Sequence, residues 1–465
     1  ITTFLFILFT QAGAMDPPAI MWERTYFDGY YSCFRDIHET SNGNYIAAMY
    51  STMVPQFAIC LFDVNGDTVW TASSDLYTQV GHWVEELNDG GFIVTGAGRE
   101  TSISSVGLLL AQYDSQGDEV WTKIYGPTGS VECGYCVTTL PDGGFAVCGE
   151  INPQTGMDQA WLLRTDSNGD TLWTDIWGEY SMNHARRVIY NDGLLKVLSF
   201  GRIHPDSAKG THLLTYDLNG NLLSEVRIAA LGGDEGVDMC YSPSDGGYTI
   251  VTNHHPKIAH VDSLGNLEWI IPNPMASSDP YGWSINATMD GGYIYGGENT
   301  PFPIEADNDY PGMVIRIDSE GNQIWWDFVY ESDCMCIYSI RQLSQGGYIA
   351  AGNTTNGQGL LIRYEPETGI GDREGLPHSV LLNAPCPNPF TSSLSIGYSL
   401  PERMCVSLSV YDLTGRLAGE LEDSILDGGE HTSVWYPGEL PSGCYIVMLR
   451  TEQDVQISKC VLVVR

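Results

Sequence analysis

The stretch Asp142-Gly143-Gly144-Phe145 and the later stretch Asp166-Ser167-Asn168-Gly169-Asp170 decide the fold of this 465-residue chain. Both have the composition of tight turns, in which glycine readily adopts the positive φ angle that other residues avoid. Short apolar segments flank the two turns, at residues 136–140, 145–149, 160–165 and 171–177. The pattern therefore predicts two successive β-hairpins, which together form a unit of four antiparallel strands.

Both turn motifs recur along the chain, and each has seven copies. The Asp-Gly-Gly-aromatic motif has strong copies at Asp89, Asp142, Asp245 and Asp290, and weaker ones at Asn42, Asp192 and Gln345. The Asp-x-x-Gly-Asp/Asn motif begins at Asp63, Asp114, Asp166, Asp217, Asp262 and Asp318, with a degenerate copy at Glu365. Tryptophan usually occupies the eighth position of this second motif, at Trp70, Trp121, Trp173, Trp269 and Trp325.

A four-stranded unit repeated with a period of about 50 residues is typical of a β-propeller. One such sheet cannot bury both of its faces alone, whereas radial stacking of seven sheets buries them against each other. We therefore predict an all-β fold with a seven-bladed β-propeller over residues 19–370. We expect the repeated Trp and Tyr side chains to pack the blades rather than to form a platform for sugars.

The two ends of the repeat region predict how the ring closes. The seventh repeat stops near Gly369 with only three strands. The segment 21–26 precedes the first repeat and is similar to the fourth-strand segment 120–125. We expect segment 21–26 to complete the last blade and close the ring; an open solenoid with a spare cap strand is the alternative.

Charge excludes several classes of partner. The chain has 21 Lys and Arg against 58 Asp and Glu, a formal net charge of −37. Nucleic-acid binding and adsorption to anionic lipid both depend on basic surfaces, so we expect neither.

The N-terminal residues predict export. Residues 1–14 contain a short apolar run that ends in Ala12-Gly13-Ala14, a pattern typical of a signal-peptide cleavage site. The run is too short to span a bilayer. We therefore expect residues 1–14 to be a signal peptide whose first residues precede this sequence.

A second β module follows the repeats. Residues 371–380 have the Gly, Pro and charge content of a linker, and residues 381–465 contain strands with alternating polarity. This pattern predicts a small immunoglobulin-like β-sandwich.

Three ordered motifs in this module carry a resemblance to a known family. The residues are Pro387, Asn388, Pro389 and Phe390, then Asp412, Gly415 and Arg416, then Pro441, Ser442, Gly443 and Tyr445, with a late Lys459. The module resembles the C-terminal sorting domain of type IX secretion substrates, and it is similar to the immunoglobulin-like domain of flagellar hook-capping proteins. The resemblance implies a Gram-negative bacterium, an outer-membrane secretion machinery as partner, and an extracellular or cell-surface location. The propeller repeats resemble those of bacterial surface proteins that carry this tail.

The variable loops lie opposite the short Gly turns in the predicted propeller, and loops on a rigid scaffold commonly bind ligands. We expect the ligand site on that face and at the mouth of the central channel. Five basic candidates fall there: His184, Arg186, Arg187, His254 and His255. They could bind an anionic ligand, although solvated loop residues are the alternative interpretation.

Motifs for catalysis and for metals are missing from the sequence. It contains no Gly-x-Ser-x-Gly, His-Glu-x-x-His or phosphate loop. The Asp turns lack the sixth-position Gly and twelfth-position Glu of an EF-hand, so we expect Asp-capped hairpin turns, no metal site and no cofactor, with weak calcium binding left open. Cys133 and Cys136 enter a strand, which argues against redox catalysis. Bridges between Cys133 and Cys136 or between Cys444 and Cys460, or free thiols, stay open.

These observations favour a secreted or cell-surface, monomeric, non-enzymatic protein that binds an extracellular glycan or protein ligand. An extracellular hydrolase or lyase acting on polysaccharide or peptide is the alternative, because propeller enzymes assemble sites from several blades without a linear motif. A purely structural spacer is the third possibility.

Overall fold

The computed structural model describes most of the chain. The described residues are 17–28, 30–51, 59–73, 76, 78–100, 105–127, 131–152, 158–178, 183–203, 208–253, 256–271, 280–299, 311–329, 334–367, 381–382, 393–400, 404–412, 416–426, 429–438, 440–441, 443–451 and 456–463. The predicted signal peptide and linker lie outside these residues. The chain divides into two compact units, Ile1–Glu367 and Thr368–Arg465.

The first unit consists of seven four-stranded antiparallel sheets, and it is a seven-bladed β-propeller. Strand β1 (Ile20–Tyr26) precedes the first blade. Blades 1 and 2 contain β2 (Ser32–Glu39), β3 (Tyr45–Ser51), β4 (Ile59–Phe62), β5 (Thr68–Ala72), and β6 (Thr78–Glu86), β7 (Phe92–Arg99), β8 (Gly107–Tyr113), β9 (Glu119–Tyr125). Blades 3 and 4 contain β10 (Val131–Thr139), β11 (Phe145–Asn152), β12 (Gln159–Thr165), β13 (Thr171–Trp177), and β14 (His184–Asn191), β15 (Leu194–Gly201), β16 (Gly210–Asp217), β17 (Leu222–Arg227). Blades 5 and 6 contain β18 (Gly236–Tyr241), β19 (Tyr248–Thr252), β20 (Ile258–Val261), β21 (Leu267–Ile271), and β22 (Tyr281–Ala287), β23 (Tyr293–Glu298), β24 (Gly312–Ile317), β25 (Gln323–Val329). Blade 7 contains β26 (Cys334–Gln342), β27 (Tyr348–Thr354) and β28 (Gly359–Tyr364).

The N-terminal strand closes the ring, as predicted. Strand β1 pairs antiparallel with β28, with Thr25 opposite Leu360, and is the outer strand of blade 7. The first strand of every blade is innermost and contacts the first strands of both neighbours, including β26 with β2. The propeller is therefore a closed ring.

The apolar core lies in the layers between neighbouring blades. Ile46 and Ala48 of blade 1, for example, belong to one buried cluster with Val84 and Val94 of blade 2. Because both faces of each sheet are covered in this way, the second and third strands are buried almost throughout, as the burial of β3 and β8 shows.

The repeated tryptophans join neighbouring blades, which confirms their predicted packing role. Trp325 donates from Nε1 to Glu367 at 2.6 Å. The other four, together with Trp22 of β1, lie on the turn glycine of the following blade, where an added Cβ would come within about 3 Å of the indole. The pairs are Trp22 with Gly66, Trp70 with Gly117, Trp121 with Gly169, Trp173 with Gly220 and Trp269 with Gly321. In blade 4, which has Ser224 in place of the Trp, Val226 covers Gly265 instead.

The second motif forms the predicted Asp-capped hairpin turn. In blade 3, the Oδ1 atom of Asp166 accepts hydrogen bonds from the backbone N–H groups of Asn168 (2.8 Å) and Asp170 (2.9 Å). Gly169 adopts a φ of +76° between them. These carboxylate oxygens therefore cap the turn.

The second unit contains two antiparallel sheets that fit an immunoglobulin-like domain. One has the order β29 (Leu381–Leu382), β30 (Leu394–Leu400), β33 (Gly429–Trp435); the other has the order β32 (Leu417–Leu426), β31 (Met404–Asp412), β34 (Gly443–Thr451), β35 (Gln456–Val463). Their core consists of Leu394, Ile396, Tyr398, Leu400, Val406, Leu408, Val410, Trp435, Tyr445, Val447 and Leu449. The apolar residues of β30 and β31 alternate along the strand, as expected for strands with one buried face. Among the described residues, no helix has the length and apolar character needed to cross a membrane.

Candidate functional site

A β-bulge occurs at a similar position in the innermost strand of every blade. In each case one residue is skipped in the pairing with the second strand, as Tyr135 is between Gly134 and Cys136. The skipped residues are Arg35, His82, Tyr135, Arg186, Val237, Trp283 and Tyr338. We call these seven residues the bulge ring.

In four of the seven blades, a glycine on the second strand accommodates the bulge. An added Cβ at Gly149 would lie 1.9 Å from the carbonyl oxygen of Cys133, which no real side chain tolerates. Gly96, Gly297 and Gly352 hold the same relation to the carbonyl oxygens of Val80, Tyr281 and Cys336. These glycines follow the Asp-Gly-Gly-aromatic motifs in sequence, so they are the sequence signal for the bulge.

The bulge ring lines a cavity of about 240 Å³ in the central channel. Every blade contributes at least one residue to the lining. The seven side chains are half-buried, whereas their immediate neighbours Gly134 and Cys136, for example, are fully buried. A β-bulge is a common means of redirecting a side chain, and here it turns one side chain per blade toward the channel.

Aromatic and cationic side chains stack around this ring. The Arg35 guanidinium lies 4.3 Å from the ring centroid of Tyr338, which in turn lies 5.4 Å from the Trp283 ring. On the other side, His82 and Tyr135 stack nearly parallel at 5.7 Å. Arg186 lies 4.3 Å above the same Tyr135 ring.

Two hydrogen-bond donors of the ring lack protein partners. The Nε atom of Arg35 and the Nε1 atom of Trp283 are buried and make no hydrogen bond to any described residue. Arg35 also makes no ion pair among the described residues, whereas Arg186 donates from Nε to Glu235 at 2.6 Å. Burial, together with the charge of Arg35, lowers the pKa of His82 to about 3, so His82 is neutral at pH 7. The uncompensated charge of the ring is therefore the cation Arg35.

The residues that follow the bulge have a different role, because they join neighbouring innermost strands. Three of them accept a backbone N–H of the next blade: Asp36 from Val84 at 3.2 Å, Asp238 from Ile285 at 2.9 Å and Ser284 from Ile340 at 3.3 Å. Three others donate: Cys136 to Val188 O at 3.5 Å, Arg187 to Met239 O at 3.2 Å and Ser339 to the Asp36 carboxylate at 3.0 Å. The remaining one, Trp83, packs 3.7 Å under the guanidinium of Arg187. Most of the residues that follow the bulge therefore bond to a neighbouring blade, and five of them, Asp36, Trp83, Asp238, Ser284 and Ser339, also line the cavity.

The two acids that line the cavity belong to this second set. Burial opposes ionisation of Asp36, but His38 and Arg341 hold the pKa of its carboxyl below its ordinary value. Burial, only partly offset by Arg187, raises the pKa of Asp238. Both carboxylates have protein partners on each oxygen.

The predicted location of His184, Arg186 and Arg187 in a variable loop was wrong. All three lie in the innermost strand β14, where blade 4 begins directly after a variable connection. Only Arg186 lines the cavity; Arg187 is the blade contact described above. The other two candidates, His254 and His255, lie outside the described residues.

His184 stands among carboxylates beside the ring. Its Nδ1 atom lies 2.8 Å from Glu235 Oε1, and its Nε2 atom lies 3.3 Å from Glu150 Oε2. With Asp158, Glu150 and His184 form a group whose possible ligand atoms all lie within 4.8 Å of one another. The sequence analysis assigned no metal ligands and missed Glu150, Asp158 and Glu235, which come from separate parts of the chain and match no linear motif.

The described cysteines include nine free thiols, among them Cys133 and Cys136. Cys133 Sγ lies 3.1 Å from His82 Nδ1, a spacing found in thiol nucleophiles. Burial raises the pKa of this thiol, and His82 is neutral, so the pair does not generate a thiolate. In the tail, strand pairing places Cys444 opposite Leu462 and Cys460 opposite Ile446.

The sorting motif is described only in part. The Asp412 carboxylate accepts from the Arg416 N–H at 3.0 Å, and the Tyr445 hydroxyl donates to Pro441 O at 2.8 Å. Gly443 and Lys459 lie on paired strands β34 and β35. The other motif residues, Pro387, Asn388, Pro389, Phe390, Gly415 and Ser442, lie outside the described residues.

Residues 386–463 match the family described as the secretion system C-terminal sorting domain, so the chain carries that domain. The domain marks proteins exported by type IX secretion to the cell surface or the extracellular space, and it implies an interaction with that secretion machinery.

Other comparisons were made with curated proteins and solved structures. No curated protein matches the chain. The extracellular domain of a hybrid two-component system from B. thetaiotaomicron aligns with 97% of this chain and 59% of its own length, at 11% identity and a TM-score of 0.46. A gluconolactonase from Xanthomonas campestris aligns with 76% of this chain and 97% of its own (10% identity, TM-score 0.39). PorZ, a surface component of the type IX secretion system of Porphyromonas gingivalis, aligns with 93% of this chain and 86% of its own length, at 10% identity and a TM-score of 0.20. This chain therefore spans 59% of the length of the first of these structures.

Proposed function

We propose that the propeller is the binding domain of this exported protein, and that the bulge ring binds an acidic sugar unit of an extracellular glycan without chemical conversion. The observation that carries the proposal is that Arg35 and Trp283, each with a buried donor that lacks a partner among the described residues, both line one cavity in a ring of aromatic side chains. A buried donor without a partner costs free energy, which a ligand acceptor would recover.

The chemistry of the ring favours a carboxylate-bearing sugar. A guanidinium binds carboxylates through two parallel hydrogen bonds, and aromatic faces pack against the apolar faces of sugar rings. A cavity of about 240 Å³ is smaller than the ~300–1,000 Å³ of pockets that enclose drug-sized ligands, so it suits one sugar unit. The chain has a net charge of −37, yet Arg35 in the channel has no ion-pair partner among the described residues. This cation favours a ligand with an anionic group.

The test is a titration of the purified full chain with an oligogalacturonide and with its neutral methyl ester. We expect saturable binding of the acid and a clearly weaker response to the ester. Arg35→Gln should weaken binding of the acid roughly 10- to 100-fold, the cost of losing a charged hydrogen bond. Trp283→Phe keeps the ring but removes the N–H, so a loss of about three- to tenfold is expected.

Matched control variants are Arg24→Gln and Trp326→Phe, both on the outside of the propeller and away from the cavity lining. They should bind like the original chain. Equal affinity for acid and ester, or unchanged binding by Arg35→Gln, would contradict the proposal. Binding of a protein or peptide instead would move the site to the variable-loop face.

An extracellular hydrolase or lyase is the second candidate. Asp36 and Asp238 line one cavity and have pKa values shifted in opposite directions, which is a common arrangement for an acid and a base. The full set of partners on both carboxylates supports a structural role instead. Prolonged incubation with the oligosaccharide decides between them: release of shorter products that Asp238→Asn abolishes, with binding retained, would favour the enzyme.

Two further expectations complete the proposal. We propose that the chain is a monomer, which light scattering after size exclusion checks. We also propose at most weak calcium binding to the acidic surface, which calorimetry with CaCl₂ checks.

A further inference from the structure

We propose that Glu150, Asp158 and His184 form a binding site for a divalent transition-metal ion at the rim of the cavity. The site joins blades 3 and 4, and it is separate from the acidic-sugar site because it uses no bulge-ring side chain as a ligand. None of the three residues is exposed, and His184 is only 9% exposed.

The fold places the three ligands together. Glu150 lies on β11 directly after the bulge glycine Gly149, and His184 begins β14. The backbone oxygen of Asp158 accepts from Asn183 N–H at 3.0 Å, which fixes Asp158 beside His184. The Asp158 carboxylate accepts from Asn152 Nδ2 at 2.6 Å, which leaves an oxygen lone pair for an ion.

A carboxylate behind the histidine orients it for metal binding. Glu235 Oε1 lies 2.8 Å from Nδ1 of His184, and Glu235 is itself held by Arg186 Nε at 2.6 Å and Asn253 Nδ2 at 3.2 Å. At a distance of 2.8 Å the Glu235 carboxylate can accept from a proton-bearing Nδ1. Metal-bound histidines almost always donate their second N–H to such an acceptor.

The facing atoms require a cation. With Nδ1–H directed at Glu235, the Nε2 lone pair faces Glu150 Oε2 at 3.3 Å, and Asp158 completes a set of three acceptors. Glu150, Asp158 and Glu235 carry three negative charges against the single positive charge of Arg186, whose Nη2 lies 3.1 Å from His184 Nδ1. A metal ion would neutralise this group.

The ligand types select the ion. One imidazole nitrogen and two carboxylates suit Zn²⁺, Mn²⁺ or Fe²⁺, whereas Ca²⁺ prefers six to eight oxygens. Three protein ligands leave a coordination position for water or for a ligand group in the cavity.

A second group of similar composition, Asp245, His260 and Glu268, has a structural explanation. Its two carboxylates are exposed. His260 contacts the turn carboxylate of Asp245 at 2.8 Å, and Arg164 and Arg316 contact Asp142 and Asp290 in the same way in blades 3 and 6. This group therefore serves as the internal control.

The experiment measures metal binding by the full chain after chelator treatment and dialysis. Zn²⁺ and Mn²⁺ are titrated against a chromogenic chelator, and bound metal is counted by mass spectrometry. We expect one ion per chain. Glu150→Gln and His184→Gln should abolish this binding, Glu235→Gln should weaken it about 10- to 100-fold, and Glu268→Gln should leave it unchanged.

Thermal unfolding without metal shows whether each variant folds. Added Zn²⁺ should raise Tm for the original chain and for Glu268→Gln, should raise it less for Glu235→Gln, and should leave it unchanged for Glu150→Gln and His184→Gln. The proposal is overturned if no stoichiometric ion binds. It is equally overturned if Glu268→Gln, and not Glu150→Gln, removes the ion. Both readouts are independent of sugar binding, so they do not depend on the proposed function.

Discussion

Replacing Asp36 by asparagine tests whether the residue after the bulge holds the propeller ring closed. Asp36 is fully buried in blade 1 and has partners in three blades. It accepts from Val84 N–H of blade 2, from His38 of its own blade at 2.9 Å, and from Ser339 and Arg341 of blade 7.

These contacts give the expected loss in the free energy of unfolding. The amide of asparagine keeps one acceptor oxygen but places an NH₂ group against existing donors, so one buried donor is left without a partner at about 1–3 kcal/mol. Arg341 also loses the carboxylate that lies 3.1 Å away, although it still donates to Ile37 O and Asn286 Oδ1. Removing one partner of a buried ion pair typically costs ~3–5 kcal/mol. We therefore expect the free energy of unfolding to fall by roughly 3 kcal/mol.

The assay is urea unfolding of the full chain at pH 7, followed by tryptophan fluorescence. Asp67→Asn is the matched control, because its ion pair with Arg24 lies on the surface, where a loss below about 1 kcal/mol is expected. A decrease in unfolding free energy below about 1 kcal/mol for Asp36→Asn would refute the structural role of this carboxylate. Such a small loss is what replacement of a catalytic carboxylate would give.

The contribution of Asp36 to the stability of the fold should depend on pH. The folded-state pKa of Asp36 lies below its value in the unfolded chain, so its stabilisation is present above the unfolded pKa of about 3.9 and is lost as the pH falls through the folded value. The stability difference between the original chain and Asp36→Asn should therefore be largest near neutral pH and should shrink in acid.

Three further predictions concern the bulge, the blade contacts and the tail. Gly149→Ala places a Cβ 1.9 Å from Cys133 O and should cost roughly 1–3 kcal/mol in urea unfolding, whereas Gly233→Ala, with no atom within 4 Å, should be well tolerated. Trp121→Ala removes the contact with Gly169 and should lower the free energy of unfolding by roughly 2–3 kcal/mol, less than the loss of a fully buried Trp. The control Trp326→Ala, at an exposed position, should lower it far less. Equal losses for the two variants would contradict the packing role. Deletion of residues 386–463 should keep the protein off the cell surface in fractionation experiments, and normal surface delivery would contradict the sorting role.

The blades and their closure could be predicted because the signals are local. Turn chemistry at Asp166–Gly169 and its copies marks hairpins, and the similarity between segments 21–26 and 120–125 identifies the strand that completes blade 7. The sorting motifs likewise lie close together in sequence.

The residues that line the channel could not be predicted, because the glycines that signal the bulge lie on a different strand from the bulge residues. The bulge positions hold chemically unrelated side chains, such as Arg35, Val237 and Trp283, while the glycine that accommodates the bulge in four of the blades, such as Gly149, is on the second strand. His184 was placed in a loop because no turn motif marks the start of β14. Glu150 and Glu235 reach His184 only through the packing of three blades.

The bulge places the side chains that face a ligand and most of the side chains that join the blades at different positions of the innermost strand. Because the residue after the bulge makes most of the hydrogen bonds between innermost strands, a skipped residue can change its chemistry while that neighbouring residue goes on holding the ring together. Sequences that descend from the same repeat could therefore diversify one position at a time, without repacking. The same property makes the chain a natural scaffold for a combinatorial library, in which seven codons are randomised and the remainder of the gene is left untouched.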